Sequence, residues 1–367
     1  MKLAIVCRPF SFHGGVETAT AGLLGELIRR GYAVDLISTR GQPDVPGARV
    51  RRLPALAHPS LLRLLSFALA ARRAVAGAGY DVVQSHERGL LQDVYRAGEG
   101  THCGYLRAMG RSRDRADPYH RTVLMLERRI FSLRSARHIA AISRRDKAEI
   151  ESLYATSPDR VSLVYNGVDL DRFHPDNRAR FRASMRERLG LSDQEWVILF
   201  VGSGFERKGL GPLIEALARL GDHRSRLVVA GKGNPEPYQR LAARLGVGPR
   251  LLWMGPCMEV ERLYALADVV ALPALYEPFG NVHLEALASA VPVLTSGRAG
   301  GAEVIRPGEN GWVAAEPTGI LVAAGLEALR ALHAPRAAVA ARASAEPFTY
   351  AAQADAFAQI YQRLATR

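Results

Sequence analysis

Asp268-Val-Val-Ala-Leu-Pro-Ala-Leu-Tyr-Glu-Pro-Phe-Gly-Asn-Val-His-Leu-Glu285 reads as a strand, a loop and the start of a helix. The apolar run ends at Pro273, the loop carries Glu277 with the turn formers Pro278 and Gly280, and the helix carries Glu285. In an open α/β sheet, ligands sit at the carboxyl ends of the strands, where this loop falls. The helix start, Phe279-Gly-Asn-Val282, would offer backbone N–H groups and a positive dipole end to a phosphate. Carboxylates repel phosphate but accept hydrogen bonds from hydroxyls. Phosphate at the helix start and hydroxyls at Glu277 and Glu285 together describe a nucleotide sugar.

Outward from this stretch, apolar runs alternate with amphipathic segments, the pattern of a parallel sheet with helices on both faces. Strands are predicted at Leu3–Cys7, Ala33–Ser38, Asp81–Ser85, His138–Ile142 and Val161–Val164. The second half repeats the pattern at Val197–Val201, Arg226–Ala230, Leu251–Met254, Val269–Leu272 and Val291–Thr295. Helices are predicted at Glu17–Arg30, Ser60–Ala76, Arg144–Leu153, Pro212–Leu220, Glu236–Leu245, Glu259–Ala267 and Val282–Ser289. The polar stretch Asp169–Glu195 separates the halves. The expected division is residues 1–168 and 169–347, two doubly wound α/β domains facing across a ligand cleft, with an amphipathic tail, 348–367, packing back on the first.

A chain of 367 residues, 48% of them hydrophobic, suits two cores better than one. No apolar run reaches the ~18 residues of a membrane span, and Met1–Cys7 reads as a first strand rather than a signal peptide. Cys7, Cys103 and Cys257 are spaced for neither disulfides nor zinc, which points to a reducing cytoplasm. The net charge is +13 and is spelled almost entirely in Arg; the lysines are Lys2, Lys147, Lys208 and Lys232. A retained Lys then marks a place where a compact ammonium is wanted.

Four further groups carry chemistry. Gly202-Ser-Gly-Phe-Glu-Arg-Lys-Gly209 follows a strand, and Arg207 and Lys208 can neutralise a diphosphate and the charge that grows on it as it leaves. Gly14-Gly15, ahead of a helix opened by Glu17, is either a tight turn or a place where backbone approaches a ligand. Asn166-Gly167 is a turn signal as well as a candidate contact. Gly98-Glu-Gly-Thr-His-Cys-Gly104 offers Glu99 and His102. Between Tyr105 and Lys147, twelve cations from Arg107 to Lys147 face four acids, with Val123–Leu126 and Ile130-Phe131 as an apolar side. That combination suits adsorption to an anionic membrane surface. An ordinary solvated helix face over a buried stripe is the competing account, and nucleic acid fits less well because no aromatic stacking platform accompanies the charge.

Gly14-Gly15-Val-Glu17, Asn166-Gly-Val-Asp169, Gly202-Ser203 with Arg207-Lys208-Gly209, the paired Glu277 and Glu285, and Gly297–Glu303 with Gly308–Trp312 occur in an order that resembles the retaining glycosyltransferases of family four. The resemblance spans the chain. It implies the GT-B fold, a nucleotide-sugar donor (UDP-sugar), no metal and no cofactor. It also implies that Glu285 meets ribose hydroxyls, that Glu277 meets the sugar, and that Gly15 brings backbone to the phosphate. Leu91–Ala97, Val201–Leu210 and Leu284–Ala288 are similar to the lipopolysaccharide-core glucosyltransferases within that family. That likeness implies glucose from UDP-glucose, a lipid-linked saccharide acceptor and a peripheral position on the inner face of the cytoplasmic membrane. Where those enzymes carry an Asp, this chain has Glu99 and then His102. Transfer from GDP-mannose or UDP-N-acetylglucosamine, a sugar-nucleotide epimerase, or a non-catalytic membrane-adsorbing module are the alternatives. Retention of Arg207, Lys208, Glu277 and Glu285 speaks against the last.

Overall fold

The computed structural model describes residues 1–10, 15–132 and 135–365. The chain forms two compact units, one built from residues up to Gly167 and from Tyr350 onward, the other chiefly from Val168–Thr349.

In the first unit the elements run β1 (Lys2–Val6), α1 (Gly15–Arg29), β2 (Ala33–Thr39), β3 (Ala48–Leu53), α2 (Ser60–Val75), β4 (Val82–Ser85), β5 (Gln92–Arg96), α3 (His102–Ala108), α4 (Pro118–Phe131), β6 (Ala136–Ala141), α5 (Arg144–Tyr154) and β7 (Val161–Leu163). All seven strands are parallel, in the order β3-β2-β1-β4-β5-β6-β7. Strands covered on both faces read as continuous apolar runs, and β1 is buried from Leu3 to Val6. Local signals set the helix starts. Asp117 accepts from the Tyr119 and His120 N–H groups with Pro118 at the first position of α4, and Ser143 accepts from Asp146 N at the start of α5.

The second unit runs α6 (Asn177–Arg188), β8 (Trp196–Val201), α7 (Leu210–Arg219), β9 (Ser225–Ala230), α8 (Glu236–Arg244), β10 (Leu251–Gly255), α9 (Val260–Leu266), β11 (Val269–Leu272), α10 (Val282–Ala288), β12 (Val293–Ser296), β13 (Gly311–Ala314), α11 (Gly319–Arg330) and α12 (Ala334–Ala345). Its six parallel strands are ordered β10-β9-β8-β11-β12-β13. The final helix, α13 (Tyr350–Ala365), returns to the first unit, where Phe357, Ile360 and Tyr361 share a core with Leu3, Ile5, Leu23 and Leu27.

Both sheets reverse direction once. The chain leaves β1 for one side of its sheet and comes back at β4 on the other; β8 and β11 do the same in the second unit. Such reversals open a crevice at the strand ends. Three strands were not expected from the sequence: β3, β5 and β13. The Gly98–Gly104 stretch becomes the approach to α3, whose first turn Thr101 caps by accepting from Gly104 N.

Candidate functional site

Three strand-end loops of the second unit are tied together at its reversal point. The loop after β8 accepts at Arg207 O from Leu275 N (2.8 Å), in the loop after β11. That second loop in turn accepts at Glu277 O from Gly300 N and at Phe279 O from Gly301 N, both at 2.8 Å, in the loop after β12. Two glycines make the close approach possible. Gly209 has φ +79°, and a Cβ there would lie 1.9 Å from Pro273 O. Gly202 lies under the Lys208 stem, where a Cβ would meet Lys208 Cδ at 2.4 Å.

This zipping places Lys208 Nζ 2.7 Å and Arg207 Nη1 2.9 Å from the same oxygen, Glu277 Oε2. Arg207 Nη1 also donates to Tyr276 O at 2.9 Å. Lys208 and Glu277 are each 8% exposed. Burial by itself would raise the Glu277 carboxyl, but Lys208 and then Arg207 pull it down to about 2. The carboxylate is therefore ionised at neutral pH, and the cluster carries a net single positive charge. The sequence reading assigned the cations to one ligand group and the acid to another. The geometry joins the two, because both cations are bonded to the acid, so a ligand there meets the three as one unit.

Glu285 lies one helical turn into the chain after this loop, on α10. Its Oε2 accepts from the Tyr264 hydroxyl at 2.6 Å. Phe279 is buried, Gly280 takes φ +86°, and Asn281 and Val282 lead into α10. A Cβ at Gly280 would lie 2.8 Å from the His283 ring and 3.0 Å from Glu277 Cγ.

His283 and Tyr264 were not among the residues singled out from the sequence. His283 is fully buried; its Nδ1 lies 2.6 Å from Gly280 O and its Nε2 2.8 Å from Thr295 Oγ1. A carbonyl only accepts, so Nδ1 carries the hydrogen. Burial lowers the ring to about 4, and the imidazole is neutral at pH 7. It is a strut between the Glu277 loop and β12. The signal lay inside the quoted stretch, in a polar His within the otherwise apolar start of α10.

The first-unit candidates are placed differently. Gly14 lies outside the described residues; Gly15 begins α1, and Glu17 stands in its first turn. Glu99 is held by two arginines at the first sheet's reversal point. Arg8 Nη2 lies 2.7 Å from its Oε1 and Arg88 Nη1 2.9 Å from its Oε2. Against the upward pull of burial, these lower Glu99 to about 2. His102 Nε2 meets His120 Nδ1 at 2.7 Å, and burial followed by Arg88 lowers His102 to about 4. Asn166 Oδ1 accepts from the buried Arg96 at 2.7 Å.

In the basic segment, Val123, Leu126, Ile130 and Phe131 of the expected apolar side are all buried, which matches the account of a solvated face over a buried stripe, and Ile130 and Phe131 pack with Tyr95 and Ile139. The stripe faces the core because α4 covers the sheet. Beyond its first residue, Pro118, α4 exposes Arg121, Met125, Arg128 and Arg129; Arg134 lies outside the described residues. Among the described residues, no helix is long and apolar enough to cross a membrane.

Residues 13–172 match the family described as Glycosyltransferase Family 4, and residues 181–344 that described as Glycosyl transferases group 1. The chain is 32% identical to a D-inositol 3-phosphate glycosyltransferase of Xylanimonas cellulosilytica, covering 96% of this chain and 94% of that protein. It is 27% identical to the lipopolysaccharide glucosyltransferase WaaG of Escherichia coli, over 83% and 82% of the two chains. The crystal structure of WaaG, a glycosyltransferase involved in lipopolysaccharide biosynthesis, superposes with a TM-score of 0.85 at 26% identity, covering 98% of this chain and 99% of that one. HepE from Anabaena, solved in complex with UDP-glucose, shares the fold at a TM-score of 0.76 and 18% identity, over 99% and 100% of the chains.

Proposed function

We propose a donor, an acceptor and a working surface for this chain, which belongs to the family 4 glycosyltransferases and has their GT-B fold. The reaction is transfer of a hexose, glucose from UDP-glucose, to a hydroxyl of a lipopolysaccharide-core type saccharide. The observation that carries the reading is the Arg207–Lys208–Glu277 cluster beside Glu285, built from adjacent strand-end loops.

In this reading Arg207 and Lys208 bind the diphosphate and stabilise the charge that develops on it as the glycosidic bond to phosphate breaks. Glu277, kept ionised by both cations, accepts from the sugar's hydroxyls. Glu285 accepts from the ribose. Backbone at Gly202, Phe279, Gly280, Asn281 and Val282 lines the donor, and Gly15 is a further backbone candidate for the phosphate. Glu17, Glu99, His102 and Asn166 are the candidates on the acceptor side. With no side chain assigned as nucleophile, retention follows from attack on the same face, the departing phosphate taking the acceptor's proton. No metal is assigned a role.

The likeness to WaaG, a lipopolysaccharide glucosyltransferase, supports a lipopolysaccharide-type acceptor, and the proposal places the chain peripherally at the inner face of the cytoplasmic membrane. The exposed Arg121, Arg128 and Arg129 supply charge for an anionic surface. The inositol-phosphate enzymes among its relatives support a second reading, transfer from another nucleotide sugar to a smaller acceptor.

A thermal-stabilisation screen of UDP-glucose, UDP-N-acetylglucosamine and GDP-mannose separates the two. A ligand at about 100 times its Kd stabilises the native state by about 2.7 kcal/mol. Stabilisation by UDP-glucose and hexose transfer to a core saccharide are expected. Stabilisation by GDP-mannose alone would reject the donor.

A further inference from the structure

Tyr264 and Glu285 come from different helices, α9 and α10, yet share a short hydrogen bond of 2.6 Å. Tyr264 is fully buried, and its ring meets Phe173 edge-on with centroids 5.6 Å apart. Phe173 in turn lies beside Arg172, which is ion-paired to Glu261 on α9 at 2.9 Å. The phenol is thus fixed from two sides. Its hydroxyl donates to Glu285 Oε2.

That bond opposes a cost. Burial raises the Glu285 carboxyl, and the Tyr264 hydroxyl is the first influence lowering it again, followed by Arg172. A carboxylate that must accept from hydroxyls is useful only while ionised and held in one rotamer. We infer that Tyr264 is a positioning residue for the nucleotide's ribose: its hydroxyl holds the Glu285 carboxyl in one rotamer, oriented toward a vicinal diol. The inference rests on the ribose role given to Glu285 above. It adds the residue on which that role depends.

The test is calorimetric binding of UDP, GDP and ADP to wild type, Tyr264→Phe and Tyr264→Phe/Glu285→Gln between about pH 5.5 and about pH 8.5, where an ordinary carboxyl stays ionised. Phe keeps the ring against Phe173. Wild-type affinity for the preferred nucleotide is expected to vary less with pH than that of Tyr264→Phe. Tyr264→Phe should bind about tenfold more weakly at the acid end and recover toward the alkaline end, as expected for a lost hydrogen bond to a charged group. The double variant should be weak throughout. An affinity in Tyr264→Phe that matches wild type across the range, with only a lowered melting temperature, would make the tyrosine structural and overturn the inference. If wild type binds none of the three nucleotides, the ribose role of Glu285 falls and this inference with it. Should Tyr264→Phe not fold, Glu285→Gln with Tyr264 intact gives the second arm: its affinity for UDP and for 2′-deoxy-UDP must become equal, and a persisting preference for the ribose form would overturn the assignment.

Discussion

Lys208 Nζ and Glu277 Oε2 lie 2.7 Å apart in a pocket of protein that leaves each residue 8% exposed. The ammonium holds the carboxylate ionised, and in the proposed reaction it also meets the diphosphate. Lys208→Ala should lower the transfer rate by about 2–4 kcal/mol in transition-state terms, the size of loss for one preorganised donor at a developing charge. Initial rates at saturating acceptor measure it, and full turnover in the variant would remove the diphosphate role.

Glu277→Gln probes the same cluster through stability. The folded carboxyl sits at about 2 against an ordinary 4.5. A depressed folded pKa contributes stability above the unfolded value, and that contribution is lost as pH falls toward the folded one. At pH 7 the variant leaves the buried Lys208 and the half-buried Arg207 without their carboxylate and should be less stable by about 3 kcal/mol. The gap between wild type and variant should close as pH falls from about 4.5 to about 2. Urea denaturation across that range checks it; a gap that stays constant would mean the ion pairs contribute nothing.

How far the sequence could be read follows from where its polar groups go. Buried parallel strands such as β1 and β11 announce themselves as apolar runs, and the loops that leave them carry the acids and cations of the site. Strand β5, Gln92–Arg96, stays hidden because Gln92 and Arg96 are polar yet buried, with partners distant in sequence, Gln92 Nε2 on Ser135 O and Arg96 Nη2 on Asn166 Oδ1. Strand β3 hides behind Arg51 and Arg52, whose guanidinium groups bond to Ala74 O and Gln42 O. The stripe of α4 was legible as a period but not as a direction, since core and membrane ask for the same residues. Tyr264 and His283 could not be placed because their partners, Glu285 and Thr295, are fixed only by folding.

Two neighbouring glycines should respond in opposite senses. Gly209→Ala puts a Cβ 1.9 Å from Pro273 O at φ +79°, so the two loops must separate. A loss of more than ~1 kcal/mol is expected, together with weaker nucleotide binding. Gly211, inside α7, has open space where its Cβ would go. Gly211→Ala should stabilise by about 0.5–1 kcal/mol, by helix propensity alone. Paired urea curves decide the matter, and equal shifts in the two variants would contradict the zipped loops.

The surface of α4 offers the last test, sharpened by finding its apolar stripe in the core. With Val123, Leu126 and Ile130 buried, adsorption through this helix must be chiefly electrostatic, carried by Arg121, Arg128 and Arg129 around Met125. Each basic residue near an anionic surface contributes about 1 kcal/mol, so Arg128→Gln with Arg129→Gln should weaken binding to phosphatidylglycerol-containing vesicles by about 2 kcal/mol, roughly thirtyfold. Screening shortens from a Debye length of about 10 Å at 0.1 M to about 3 Å at 1 M, and wild-type binding should fall across that range. Met125→Ser should change little by comparison. Vesicle co-sedimentation measures all three. Binding that ignores salt but collapses with Met125→Ser would mean that insertion, not charge, holds the protein to the bilayer; no binding at all would remove the membrane from the proposal.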